Sequence, residues 1–317
     1  MLVTGAGGFI GHHLVRFLKK KGYWVRGADI KYPEFSPRNE VDEFLKVDLR
    51  DFKNCIKATK GIDWVFNLAA DMGGIGYITD VKADIMHNSA LINLNMAEAC
   101  KINKVKRIFY SSSACIYPKE SQLKPNIKGL KESDAYPANP DSEYGWEKLF
   151  SEILFKSYQS DYGLEVRIAR FHNIYGPEGT YDGGREKSPA AICRKVALAK
   201  DGGEIEIWGD GKQTRSYCYI DDCLNGVWKL MNSKFDNPLN IGSDRMVTIN
   251  ELVDIVSKIA NKKLKKKYLL DKPQGVRGRN SDNTLLRKTL NWVPQITLEE
   301  GLSKTYNWIS QQVKNAK

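Results

Sequence analysis

Gly5-Ala6-Gly7-Gly8-Phe9-Ile10-Gly11 stands directly behind the apolar run Met1–Thr4 and ahead of a helical pattern that stops at Gly22. Glycines three apart at a strand-to-helix turn have separate uses. The first two let the backbone turn tightly and approach a pyrophosphate, the last lets helix pack on strand, and the helix N-terminus faces the phosphates. A tight turn that binds nothing has the same glycines, so the surroundings decide. Asp29 ends the second apolar run, the place of the carboxylate that bonds an adenosine ribose. An acid there repels a 2′-phosphate, so NAD is expected rather than NADP, with Arg26 and Lys31 tempering the preference. The expected cradle is Gly5, Gly8, Phe9, Ile10 and Gly11, with Asp48 and Leu49 after the third strand as adenine contacts and Leu68 at the end of the fourth.

Working outward, strand-like runs at Met1–Thr4, Trp24–Ala28, Phe44–Val47, Trp64–Leu68, Arg107–Ser111 and Glu165–Ala169 alternate with helical patterns, the first over Gly11–Lys21. Such alternation predicts an α/β fold, a doubly wound parallel sheet of the Rossmann type with helices on both faces. The first strand is short for a central one, so a few residues are expected to precede it. After residue 170 Pro177, Gly179, Gly183 and Gly184 crowd an irregular loop. We expect a nucleotide-binding domain over 1–170 with a return segment near 215–245, and a smaller C-terminal substrate domain over 171–214 and 246–317.

The chain has 317 residues, 42% of them hydrophobic, enough for one large α/β domain and an appendage. No run approaches the roughly 18 apolar residues of a membrane span, and Met1–Ile10 lacks the basic start of a signal peptide, so a cytoplasmic protein is expected. Six scattered cysteines form no Cys-x-x-Cys pair, and reduced thiols are the default. His12 and His13 are adjacent, and neighbours on a helix point apart, so no metal site is expected. The net charge of +11 raises the question of nucleic acid. However, its densest run, Lys262–Lys267, has no interleaved aromatics and is expected to be a solvated turn; neither nucleic acid nor membrane is expected as a partner.

Tyr144 and Lys148 lie four apart, hence on one helical face. Tyr268 and Lys272 share the spacing, so spacing alone is weak. The first pair is set apart by the glycine turn and by Ser111-Ser112-Ser113 closing the fifth strand. An ammonium beside a phenol favours the phenolate, and Ser113 can bond the same substrate oxygen.

Together, Gly5/Gly8/Gly11, Ser113 and Tyr144/Lys148 resemble the extended short-chain dehydrogenase/reductase family, over nearly the whole chain. Trp208–Asp222 and Leu290–Leu302 are also similar to that family's substrate domain. Within it, Asn67–Ile78, Ser112–Pro118 and Arg170–Lys195 resemble the nucleotide-sugar epimerases that invert GDP-mannose at C5 and C3. The resemblance implies C4 oxidation by bound NAD, with Cys115 as base and Lys187 as acid on the carbons beside the transient ketone. It also implies substrate contacts from Gly73, Gly74, Asn173, Glu186, Lys187, Lys195, Gln213, Arg215 and Arg279, with Arg277 as the alternative to Arg279, and a homodimer. Taken alone, Cys115 reads rather as a small buried hydrophobe, the commoner fate of cysteine, and Lys187 as an exposed loop charge. Three alternatives stay open: a GDP-fucose synthase-like epimerase/reductase, a UDP-sugar 4-epimerase, and a dinucleotide-binding regulator without chemistry.

Overall fold

The computed structural model describes residues 1–37 and 40–316, so Lys317, the last residue of the expected second domain, lies outside them. Strand and helix alternate from the start: β1 (Leu2–Thr4), α1 (Phe9–Lys20), β2 (Arg26–Asp29), β3 (Glu43–Lys46), α2 (Phe52–Thr59), β4 (Trp64–Asn67), α3 (Ile75–Asp80), α4 (Lys82–Ile102), β5 (Arg107–Ser113), α5 (Glu143–Tyr162) and β6 (Glu165–Phe171). The rest comprises β7 (Ile174–Tyr175), α6 (Ser188–Leu198), β8 (Glu204–Trp208), β9 (Thr214–Ser216), β10 (Cys218–Tyr219), α7 (Ile220–Asn232), β11 (Leu239–Ile241), β12 (Met246–Thr248), α8 (Ile249–Ile259), β13 (Lys265–Leu269), β14 (Gly278–Arg279), α9 (Thr284–Leu290) and α10 (Leu298–Asn315).

Seven strands pair in parallel in the order β11-β6-β5-β4-β1-β2-β3. Successive side chains on a strand point to opposite faces, and both faces here are apolar. Val3, Phe66 and Phe109 pack with Leu14, Leu18, Val227 and Leu230. Leu2, Val65, Ile108 and Tyr110 pack with Cys55, Met96, Cys100 and Phe155. This is the doubly wound sheet expected from the alternation. Strand order reverses between β1 and β4, which opens a crevice at their carboxyl ends. Beyond that crevice lie three small sheets, β10-β7, β12-β9-β14 and β13-β8. Thr248 with Glu251 and Thr297 with Glu300 close reciprocal caps on α8 and α10, satisfying backbone N–H groups that would otherwise be orphaned.

The chain departs from the sequence reading at three places. The second strand begins at Arg26, because Trp24 is exposed and lies 5.3 Å from the Arg26 guanidinium rather than in the core. The basic run is more than a turn: Lys265–Lys267 open β13, with Lys267 paired to Glu206 at 3.2 Å and Lys266 to Asp254 at 2.6 Å, while the Lys262 ammonium caps carbonyls of Val196, Ala197 and Ala199. Finally, His12 and His13 converge on one turn. Their rings are 4.5 Å apart, His12 Nε2 is 3.1 Å from Glu178 Oε2, and His13 Nε2 is 3.1 Å from the Pro177 carbonyl. The ligand atoms of His12, His13 and Glu178 lie within 4.8 Å of one another, but Arg16 already pairs with Glu178 at 2.9 Å. We read the cluster as an ion-paired anchor for the loop after β7.

Two buried histidines make stability fall in acid. Burial pulls His13 down to about 4 and His172 to about 3, the latter opposed by its bond to Asn240 at 3.0 Å. Both folded values lie below the unfolded value of about 6.5. Their contribution is therefore present above that pH and is lost as pH falls from 6.5 toward 4 and then 3. Each histidine accounts for up to about 1.4 kcal/mol per pH unit across its window. Urea midpoints measured from pH 7 to 5 should decline accordingly; a flat profile contradicts burial of these rings in neutral form.

Candidate active site

The glycine turn is built for close approach. Gly5 has φ of 66°, a Cβ there would meet Ala69 N at 2.9 Å, and one on Gly11 would lie 1.9 Å from the Gly5 carbonyl. Gly8 caps α1 without a side chain, which leaves the first-turn N–H groups facing open space. A cavity of about 490 Å³ lies over the turn, lined among others by Gly5, Gly8, Phe9, Ile10, Gly11, Asp29, Asp48, Leu49, Leu68, Gly73 and Lys187. Asp29 accepts N–H bonds from Gly7 at 2.9 Å and Lys31 at 3.1 Å, while burial pushes its carboxyl up. Asp48 is engaged by Arg50 at 2.6 Å, which holds its carboxyl below the usual range. A shaped glycine cradle, a helix N-terminus without a side-chain cap and a carboxylate at the end of β2 fit a dinucleotide.

Along the wall of the crevice, β5 ends in Ser113, whose Oγ accepts from Cys115 N at 3.2 Å and caps the one-turn 3₁₀ helix Ala114–Ile116. α5 passes this turn at Gly145, where a Cβ would strike the Cys115 carbonyl at 2.3 Å. That approach brings the Tyr144 phenol near Ser113, whose side chain favours the ionised phenol. The Lys148 ammonium donates to the Ser111 carbonyl at 2.9 Å and lies 5.7 Å from the Tyr144 ring centroid. In the protein alone the phenol stands above its usual range, opposite to the lowering expected beside Lys148. Burial pushes Tyr144 up, with Cys115 and Glu147 adding, while Ser113 and Arg279 oppose; burial also lowers Lys148.

Cys115 is half-buried, and Arg279 Nη1 lies 3.0 Å from its sulfur. Lys187 is the N-cap residue of α6 and faces the same cavity; burial lowers its ammonium, and the charge of Cys115 opposes that. The neighbouring loop is clamped across the crevice: Gly74 N donates to the Arg185 carbonyl at 3.0 Å, and a Cβ on Gly74 would meet the Glu186 carbonyl at 2.4 Å. Glu186 itself accepts from Gly184 N at 2.7 Å.

The other expected substrate residues do not line that cavity; they lie between β6 and β7 (Asn173), on α6 (Lys195), and on or beside β9 and β14 (Gln213, Arg215, Arg277, Arg279). Asn173, with φ of 42°, donates to the Ser216 carbonyl at 2.9 Å. Lys195 donates to the Glu206 carbonyl at 2.9 Å, and burial lowers its ammonium. Gln213 donates to the Trp208 carbonyl at 3.0 Å, leaving its buried Oε1 without a partner. Burial, then the charge of Arg279, draws Arg215 down to about 10. Arg277 and Arg279 part company: Arg277 pairs with Asp210 at 3.0 Å away from the sulfur, whereas Arg279 is buried beside Cys115. Two features escape sequence reasoning, the close pass at Gly145 and the bond from Arg279 Nε to Gln122 Oε1 at 2.6 Å.

A glycine cradle at a parallel-sheet switch point, with a Ser-Tyr-Lys group at its wall, defines a nucleotide-dependent enzyme site, and the chain belongs to the NAD dependent epimerase/dehydratase family, whose pattern matches residues 1–242. GDP-mannose 3,5-epimerase of Arabidopsis thaliana is 52% identical over 316 residues, 99% of this chain and 83% of that protein. The fold is similar to UDP-glucose 4-epimerase of Thermotoga maritima solved with UDP-glucose, with a TM-score of 0.88 at 25% identity over 98% of this chain and 99% of that one. It is similar also to MoeE5 in complex with UDP-glucuronic acid and NAD, with a TM-score of 0.83 at 27% identity over 98% and 99%.

Proposed function

We propose that this enzyme epimerises GDP-mannose at C5 and C3, with no net redox change. The observation that carries the reading is Cys115, held against Arg279 at 3.0 Å on the turn that Gly145 passes, with Lys187 as the acid that the resemblance implies, beside the Ser113–Tyr144–Lys148 group. The latter group suits oxidation at C4; the former adds a proton donor and acceptor that C4 chemistry alone does not need. The 52% identity to a GDP-mannose 3,5-epimerase supports the same substrate.

Bound NAD would supply a reversible hydride acceptor for C4. It would be held by the glycine cradle and Asp29. Tyr144, beside Ser113, takes the C4 hydroxyl proton, and Lys148 adds positive charge behind it. Once C4 is a ketone, the hydrogens on C3 and C5 are acidic, because the electron pair left behind spreads onto the carbonyl oxygen. Cys115 removes a proton from one face and Lys187 delivers one from the other, so the carbon inverts; Tyr144 then returns its proton to the C4 oxygen. Asn173, Lys195 and Gln213 from residues 171–214, with Arg215 on β9, hold the nucleotide and sugar. Guanidinium forks suit diphosphate oxygens.

We place the enzyme in the cytosol as a homodimer. Among the described residues no helix is long and apolar enough to cross a membrane, and the six thiols are free, as suits a reducing compartment. Trp146, Phe150 and Ile153 on α5 and Met86 and Leu94 on α4 stand exposed on adjoining helices, an apolar face that a second copy would cover. Sedimentation at the mass of two chains is expected. The function itself is tested by supplying GDP-mannose to the NAD-loaded enzyme. Many turnovers to new GDP-hexoses without added NADH or growing nicotinamide absorbance are expected, and consumption of NADPH with each turnover contradicts it.

A further inference from the structure

Arg279 reaches the Cys115 sulfur under the control of two side chains that take no part in the chemistry above. Gln122 is fully buried, and its carbonyl Oε1 accepts from Arg279 Nε at 2.6 Å. Its amide donates to the carbonyls of Tyr117 and Pro118 at 3.1 and 3.2 Å, in the stretch that leaves the Cys115 turn. Gln122 thus ties the guanidinium and the cysteine loop to one rigid group. On the far side, Asp141 Oδ1 lies 3.6 Å from Arg279 Nη2, a buried nitrogen with no hydrogen-bond partner. The guanidinium is therefore shared between a carboxylate that it reaches poorly and a sulfur that it touches.

We propose that Gln122 and Asp141 are positioning residues that set how strongly Arg279 stabilises the sulfur anion of Cys115, and so how readily that sulfur gives and takes the sugar proton. The inference rests on the reading of Cys115 as the base. A guanidinium held by a neutral amide keeps its whole charge for the sulfur, whereas a second carboxylate would divide it. Asp141, 3.6 Å from Arg279 Nη2, already takes a part of that charge. The other charged or titratable groups that face Cys115 are Tyr144 and Lys148 from α5, Lys187 from the start of α6 and Arg215 from β9. None of these is altered by changes at 122 or 141.

The two residues are expected to act with opposite sign, which a loss of packing would not produce. Gln122→Glu places a carboxylate against Arg279 Nε, and alkylation of Cys115 by iodoacetamide at pH 7, followed by mass spectrometry of its peptide, should slow by about tenfold, the worth of one charge-assisted hydrogen bond. Asp141→Asn should speed it by about threefold, as expected for removal of a partly screened charge. In both variants the ratio of rates at pH 7 and pH 9 should move the same way as the pH 7 rate. Deuterium exchange at C5 should follow the Gln122→Glu loss while C4 oxidation, seen as transient NADH, is unchanged. Asp141 is partly exposed, so Asp141→Asn carries the sign test even if Gln122→Glu does not fold. Equal alkylation rates in Asp141→Asn and the parent, or a slower rate, overturn the proposal. Because alkylation is read without turnover, that failure is separate from failure of the epimerase reading, which would appear as full C5 exchange in Cys115→Ser.

Discussion

Tyr144→Phe is expected to silence every event on the sugar at once. The phenol is buried, close to Ser113, and the candidate for the C4 hydroxyl proton. Without that acceptor the ketone does not form, and without the ketone neither C3 nor C5 loses its proton. Turnover should fall by about 10²–10⁴-fold, the usual worth of a positioned general base. Transient NADH and solvent exchange should fall together by the same factor. The variant should fold normally, since the Ser113–Cys115 cap and the Lys148–Ser111 bond do not involve the phenol oxygen. Exchange at C5 that survives while C4 oxidation is lost would mean that the two steps are not coupled through a ketone.

Cys115→Ser separates the steps. A hydroxyl keeps the shape of the side chain but gives up its proton far less readily than a thiol, so Arg279 at 3.0 Å would face a neutral group. Net epimerisation and C5 exchange are expected to fall by about 10²–10⁴-fold. C4 oxidation continues and shows as a burst of NADH with GDP-mannose. Rapid-mixing absorbance read alongside product analysis distinguishes this from a general collapse, in which the burst disappears too.

The parts of the molecule that were legible in the sequence are those whose partners are close in the chain. The glycine turn declares itself because strand, turn and helix are consecutive, and Tyr144 with Lys148 because a helix puts residues four apart on one face. Asp29 was placed by the end of its strand. What stayed hidden depends on partners far along the chain. Arg279 is 164 residues from Cys115 and 157 from Gln122, and nothing in a run of sequence says that they meet. The choice between Arg277 and Arg279 turns on Asp210, 67 residues from Arg277. His12 and His13 leave the helix toward one turn because Glu178 and the Pro177 carbonyl wait there, a tertiary cause that outweighs local direction. Lys265–Lys267 lack the apolar alternation of a strand. They pair with β8 because cross-strand partners such as Glu206 meet their charges.

The central claim is that carbons beside a transient C4 ketone exchange protons with Cys115 and Lys187, and the most direct test is to incubate the NAD-loaded enzyme with GDP-mannose in deuterated water and follow the sugar by proton NMR. Deuterium should enter at C5 and C3, with C4 retaining its original hydrogen because the hydride leaves and returns within the site, and the new signals should be those of hexoses inverted at C5 or at both carbons. Inversion at C4 with hydrogen retained at C3 and C5 would instead make this a 4-epimerase and leave Cys115 and Lys187 without a chemical role.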